Sequence, residues 1–274
     1  MAVRLLAIVV VCFAIGGHLE LARAQWVHYP TPGMPRTADG KPNLAAPVPR
    51  SSDGHPNLSG VWRMETTPCQ RGAPCENDSD GGVREFSEIA FRVGGSLPYQ
   101  PWAAELVKKR TADLGIEDPV ALCKPAGAFR LLTFPMYRKI IQTPAVTVLL
   151  SERDVTYRQF FTDGRPLPTD PSPTWNGYSV GKWQGDALVV ETVGFRDGTW
   201  LDRRGSPLTE AGKMTEIFRR TSFGNLDIEV TIDDSKAYTK PWTAKLHQLL
   251  VPDSELIDYH CNENEKDAVH VVGK

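Results

Sequence analysis

The chain reads as a mainly β protein built on a closed antiparallel β-barrel, with one main helix and an extended N-terminal leader. Three observations carry this reading. From Phe129 onward, short runs rich in β-branched and aromatic residues recur between turn signals, giving with a first strand at Trp62 about ten strands. In one of them Leu226, Ile228, Val230 and Ile232 alternate with Asp227, Glu229, Thr231 and Asp233, the period-two pattern of a strand wet on one face. A single stretch, residues 101–114, carries the signals of a main helix. So many strands with so little helix leave open sheet edges unless the sheet closes on itself, and closure is the economical solution.

The elements follow in order. Residues 1–24 carry an early cation, Arg4, an apolar run from Leu5 to Ile15 and a small-residue end at Ala22-Arg23-Ala24. That is the layout of a secretory signal cleaved near Ala24, and it predicts a secreted or periplasmic protein. The run is shorter than the roughly 20 apolar residues a spanning helix needs, and no later stretch approaches that length, so no membrane span is expected. Residues 25–58 form a Pro- and Gly-rich leader. In it Pro35-Arg36-Thr37-Ala38-Asp39-Gly40-Lys41-Pro42-Asn43-Leu44 returns as Pro49-Arg50-Ser51-Ser52-Asp53-Gly54-His55-Pro56-Asn57-Leu58. Two copies of a turn unit are too few to stack into a solenoid, so the leader is read as an extension of the barrel domain, residues 59–274.

That domain opens with Gly60-Val61-Trp62 as its first strand. Residues 69–82 are polar and loop-like; Glu76-Asn77-Asp78-Ser79-Asp80-Gly81 begins like a calcium loop, but Ser87 stands where a bidentate Glu is required. The helix has Pro101 in its first turn, Trp102, Leu106 and Val107 on one side, Lys108, Lys109 and Arg110 in its later half, and Gly115 just beyond. Strands are then expected at residues 138–143, 145–152, 156–163, 178–184, 187–195, 214–221, 226–233, 242–251 and 256–262.

Composition bounds the function. Cleavage removes Arg4, Arg23 and Glu20, which moves the formal charge from −2 to −3. Such a balance gives no basis for nucleic-acid binding. A hydrophobic content of 41% is enough to fill a sizeable core. Of five cysteines, Cys12 leaves with the signal. Four thiols in an exported chain predict two disulfides. Cys69 and Cys75 enclose a short polar loop and are natural partners, which leaves Cys123 with Cys261 to tie the start of the β region to its end.

Candidate chemistry is sparse. Gly177-Tyr178-Ser179-Val180-Gly181 spells the nucleophile elbow of serine hydrolases, but an elbow needs a strand running directly into a helix. Here Lys182-Trp183-Gln184 leads to a Gly185-Asp186 turn and a Val-rich strand, so the motif belongs to a β-hairpin and Ser179 is not read as a nucleophile. Strand parity places Glu216, Phe218 and Arg220 on one face. If Phe218 marks the interior, Glu216 and Arg220 also point inward, where they must pair with each other or with a ligand. His247, on a predicted strand, is the best single general-base candidate. Trp175, Tyr178, Trp183 and Trp200 cluster in sequence beside Asp197 and Asp202, and of these Tyr178, Trp183, Trp200 and Asp202, with Phe218, are selected as the wall of a site for a small apolar or aromatic molecule. The histidines lack metal spacing, and neither a phosphate loop nor a dinucleotide fingerprint is present, so metal and cofactor are both expected to be none.

The chain resembles a broad family of secreted, mostly uncharacterised bacterial proteins. The matching stretches are Asn57-Leu58-Ser59-Gly60-Val61-Trp62, Cys123-Lys124-Pro125-Ala126-Gly127, Asp163-Gly164-Arg165-Pro166-Leu167-Pro168, residues 177–195, Thr199-Trp200-Leu201-Asp202, and Tyr259 through Cys261 to Asp267. The Gly-x-Trp opening followed by hairpins also looks like the lipocalin and calycin barrels. The chain departs from its relatives at Gly205-Ser206-Pro207-Leu208-Thr209, where they read Gly-x-Pro-His-Ser, and at Arg196, where Asn is usual. The resemblance carries over no catalytic residue. The expected function is therefore a secreted, small-molecule-binding β-barrel. Its enzymatic form would be a cofactor-free lyase, isomerase or hydrolase with Glu216 as acid or base and Arg220 fixing an anionic group. The alternatives are a ligand carrier without turnover and a cell-envelope interaction module.

Overall fold

Period-two alternation sorts the residues of each strand into two faces, and closing the sheet makes those faces a lumen and an outer surface. The structure, a computed structural model, describes residues 29–65, 86 and 88–261. The expected signal segment, residues 1–24, the calcium-like stretch 76–81 and the expected Cys69–Cys75 pair lie outside the described residues. The strands are β1 (Gly60–Met64), β2 (Arg138–Gln142), β3 (Val146–Ser151), β4 (Tyr157–Phe161), β5 (Tyr178–Gln184), β6 (Ala187–Val193), β7 (Thr199–Trp200), β8 (Pro207–Leu208), β9 (Lys213–Ser222), β10 (Asn225–Asp233) and β11 (Trp242–Leu250). A closed barrel runs β1-β11-β10-β9-β6-β5-β4-β3-β2, and β7 pairs with β8 outside it.

The expected closed, mainly antiparallel barrel is the architecture, with one departure. β4 and β5 run parallel, paired only at Phe160↔Ser179 and Phe161↔Val180. A second departure concerns the end of the chain. Residues 256–261 form no strand; they make a single parallel bridge, Arg153↔Tyr259. The reason is closure: β1 pairs with β11 on one side and β2 on the other, so no edge remains for another strand to join.

The lumen is filled. Trp62 of β1, Ile140 of β2, Leu149 of β3, Phe160 of β4, Leu188 of β6, Phe218 of β9, Ile228 of β10 and Leu246 of β11 are all buried in one cluster. Met214, Glu216, Phe218 and Arg220 are all buried on β9, as parity requires once Phe218 points inward.

Helix α1 (Pro101–Ala112) begins at the expected proline and stops two residues before the expected end. Its apolar side packs little: Ala103 is its buried residue, and Trp102 is 47% exposed, its Nε1 donating to the Lys236 carbonyl at 2.7 Å. A short helix, α2 (Arg130–Thr133), is buried throughout, and its Leu132 carbonyl accepts from Arg138 of β2 at 2.6 Å. Among the described residues no helix is long and apolar enough to cross a membrane. Cys123 and Cys261 form a disulfide with Cα atoms 5.4 Å apart.

The leader repeat folds into two copies of one turn. Thr37 N donates to Lys41 O and Ser51 N to His55 O, both at 2.9 Å. Asn43 N donates to Pro35 O and Asn57 N to Pro49 O, both at 2.8 Å. Gly40 and Gly54 supply the positive φ each turn needs, 81° and 85°. Each copy then fastens its arginine to an aspartate of the barrel: Arg36 to Asp253 at 2.7 Å, and Arg50 to Asp186 at 2.7 Å. Leader and barrel also share backbone hydrogen bonds, Phe223 N to Ala46 O and Gly224 N to Leu44 O, both 2.8 Å.

Candidate functional site

The short parallel pairing of β4 and β5 leaves the strands apart where each begins. Asn176 spans part of that gap, its Nδ2 donating to the Tyr157 carbonyl at 3.1 Å. Beside it lies a cleft of about 480 Å³ lined by Pro125, residues 154–159, Phe161 and residues 174–179. Its walls are aromatic: Tyr157, 60% exposed, Phe161, Trp175 and Tyr178. The Phe161 and Tyr178 rings stack at 5.3 Å between centroids. Arg165 lies over Phe161 at 3.9 Å and donates to the Tyr178 hydroxyl at 3.1 Å, while Arg196 lies over Trp175 at 5.0 Å. Cation–π contacts of this kind fix the rings' orientation as well as adding attraction.

Below the walls lies a buried polar network. Arg158 reaches across the lumen and holds both oxygens of Glu216, Nη1 to Oε1 at 2.9 Å and Nη2 to Oε2 at 2.6 Å. Its Nη2 also approaches the Thr192 hydroxyl at 3.4 Å, which in turn shares a hydrogen bond with Ser179 Oγ at 2.9 Å. The Arg158 and Glu216 side chains are 1% and 0% exposed. Two atoms are left over: Arg158 Nε, a donor, and Asn176 Oδ1, an acceptor, are buried without partners among the described residues.

This corrects the expected Glu216–Arg220 pair. Parity put both residues inside, but four residues along a strand span about 13 Å, too far for the two side chains to share one geometry. Glu216 meets Arg158 instead, on a strand opposite in the lumen. One guanidinium holds both oxygens of Glu216, and the side chain is fully buried.

The other expected residues scatter. Arg220 sits at the leader-covered end of the barrel. His247 is half-buried on the outer face, its Nδ1 against Asp227 Oδ1 at 2.5 Å and its Nε2 against Asn225 Oδ1 at 3.0 Å, so both ring nitrogens are occupied. Trp183 lies at the barrel mouth and stacks on His55 of the leader, 4.6 Å and 4°. Trp200 is buried beneath the Arg110 guanidinium, 4.4 Å from ring centroid to charge. Asp202 is buried and accepts from the backbone N–H groups of Ile89 and Ser206, both at 3.1 Å. Burial pushes its carboxyl above the usual range, and its hydrogen bonds to Ser206 and Ile89 act against that shift. Phe218 packs on Phe160 in the core at 5.5 Å. Of the expected ligand-binding set, Tyr178 alone lines the cleft.

The glycines around Ser179 have packing roles. At Gly177, with φ of 66°, a Cβ would fall 2.7 Å from both Thr192 Cγ2 and the Val193 carbonyl; at Gly181 it would fall 3.1 Å from Thr162 Cγ2. Ser179 itself is on β5 of the β5–β6 hairpin and is buried. The motif therefore follows from close contact between strands, without the strand-to-helix turn of an elbow.

Sequence reasoning missed Tyr157, Arg158 and Asn176, and did not select Trp175 from the aromatic group. Arg158 was findable: it shares its strand face with Phe160, a cation among apolar inward positions. Among the described residues no group of three or more His, Cys, Asp or Glu side chains is placed to hold a metal ion. No protein-family model matches the chain, and no curated protein was found to match it.

Proposed function

We propose that the protein is an exported β-barrel that binds a small aromatic compound in the β4–β5 cleft and does not turn it over. One observation carries the reading: four aromatic side chains surround a cleft whose lining residues Arg158 and Asn176 contribute a buried donor and a buried acceptor without partners among the described residues. A planar ring bearing a hydroxyl or amide group matches both, since stacking suits the walls and one polar substituent can serve Arg158 Nε or Asn176 Oδ1. Binding without turnover is supported by the dispersal of the acid–base candidates, with Glu216 neutralised in the lumen and His247 engaged outside it. Export is supported by the Cys123–Cys261 disulfide, which persists in oxidising compartments, together with the secretory layout of residues 1–24.

Calorimetric titration with phenol, indole and 4-hydroxybenzamide tests this. The hydroxybenzamide is expected to bind one to one. Trp175→Ala and Tyr157→Ala should each weaken it roughly tenfold, the equivalent of about 1.4 kcal/mol. Both side chains sit on the cleft wall, so the melting temperature should barely move. Unchanged affinity in both variants would overturn the proposal.

A second reading, an envelope interaction module, draws on one feature. Leu114, Ile116 and Leu122, in the loop after α1, are 89%, 67% and 49% exposed while the lumen is filled.

A further inference from the structure

At the opposite end of the barrel the leader roofs a separate cavity of about 520 Å³. Thr31, Pro49, Lys139, Arg220, Phe223 and Leu250 are among its lining residues. Arg220 is 5% exposed. Its Nε donates to the carbonyls of Ser222 at 3.2 Å and Phe223 at 3.1 Å, its Nη1 to those of Asn57 at 2.5 Å and Ser59 at 3.4 Å, and its Nη2 to that of Phe223. A guanidinium has five N–H groups, and among the described residues this arrangement leaves one Nη2 hydrogen without an acceptor. The charge lies between two rings, 5.0 Å from Trp62 and 4.9 Å from Phe223.

No carboxylate pairs with Arg220 among the described residues. That sets it apart from three of the four other buried arginines. Arg130 has Asp118, Arg153 has Asp154 and Arg158 has Glu216. Arg138 also lacks a carboxylate partner, but all four of its Nη hydrogens are used, by the carbonyls of Leu132, Phe134 and Met136 and by Gln248 Oε1. Burial alone lowers the Arg220 guanidinium to about 10, which reflects a charge removed from water with nothing of opposite sign beside it. Lys139, at the rim, pairs with Glu255. Those two offset each other, so the cavity keeps one uncompensated positive charge beside apolar surface from Val61, Phe223 and Leu250.

We propose that this cavity binds a small organic monocarboxylate, its carboxylate accepting from Arg220 Nη2 and its apolar body lying on Phe223, Val61 and Leu250. Carboxylate against guanidinium supplies the missing counter-charge, and a charge-assisted hydrogen bond in a desolvated site is stronger than the same contact in water. Of the roof residues, Thr31 hydrogen-bonds Asp253, the partner of Arg36, and Pro49 precedes Arg50, so a ligand beneath them also holds the leader down.

The test uses the mature chain with hexanoate as probe, 1-hexanol as its neutral counterpart and inorganic phosphate as an anion without an apolar body. Isothermal titration is expected to give one hexanoate site at least tenfold tighter than hexanol or phosphate. Saturating hexanoate should slow proteolytic cleavage within residues 29–58. Arg220→Lys, which keeps the charge but loses the fork, should weaken hexanoate at least tenfold, while Trp175→Ala in the other cleft should leave it unchanged. Equal binding of hexanol or phosphate, no binding by the native chain, or full hexanoate affinity in Arg220→Lys would each overturn the proposal. The first two outcomes are read on the native chain and hold even if the Arg220 variant fails to fold.

Discussion

Glu216 and Arg158 are separated by 58 residues in sequence and by 2.6 Å in space. Burying two charges costs several kcal/mol for each ion, which their attraction and hydrogen bonds must offset, so the pair is costly to break and cheap to replace as a unit. Arg158→Met or Glu216→Leu alone should destabilise the fold by about 3–5 kcal/mol, because each leaves its partner charged and buried. The double variant should be near neutral or more stable. Urea midpoints of the three variants check this; a double variant about as unstable as either single would mean that the pair itself stabilises the fold, and one as unstable as the sum of the singles would mean that the two side chains are not coupled.

The leader shows how a weak local pattern becomes an element. Each repeat closes a turn with its own backbone and contributes one arginine to a barrel carboxylate. The Asp186 carboxyl is held below its usual range by Arg50, and Asp253 by the Thr31 N–H first, against the opposing effect of burial, and by Arg36 as well. A carboxyl lowered by docking stabilises the docked form above the undocked value, about 3.9, and loses that contribution as pH falls through the docked value. Leader docking is therefore expected to persist through neutral and mildly acidic pH and to release below about pH 3.9. Trp183 fluorescence reports it through the His55 stack. In the Asp186→Asn/Asp253→Asn double variant the leader should be cleaved faster by protease at pH 7. Unaltered cleavage would show that the backbone contacts at Leu44 and Ala46 suffice without the ion pairs.

Closure of the barrel joins distant parts of the chain, since β1 is flanked by β2 and β11. The disulfide adds a covalent tie across 138 residues. By the loop-entropy relation such a bridge stabilises by about 5 kcal/mol, chiefly by restricting the unfolded chain. The Cys123→Ser/Cys261→Ser double variant should lose an amount of that order in denaturant unfolding, with its native secondary structure unchanged. A loss under about 1 kcal/mol would show that the unfolded chain is already held together in other ways.

Alternation along β9, β10 and β11, the proline that starts α1 and the turns of the leader repeat were all legible because each depends on residues a few positions apart. Parity alone placed Glu216, Phe218 and Arg220 inside, since a strand's side chains must alternate. Which partner each inward charge meets was not legible: that depends on strand order and on height within the lumen, set by pairing between segments far apart in sequence. The same holds for the parallel β4–β5 pairing and the cleft it opens. Two strands must diverge before Tyr157, Arg158, Trp175 and Asn176 can share a surface, and no local pattern encodes that divergence. The expected strand at residues 256–262 failed for a related reason: β-propensity describes what a segment can do, and a closed barrel had no edge left for it to join.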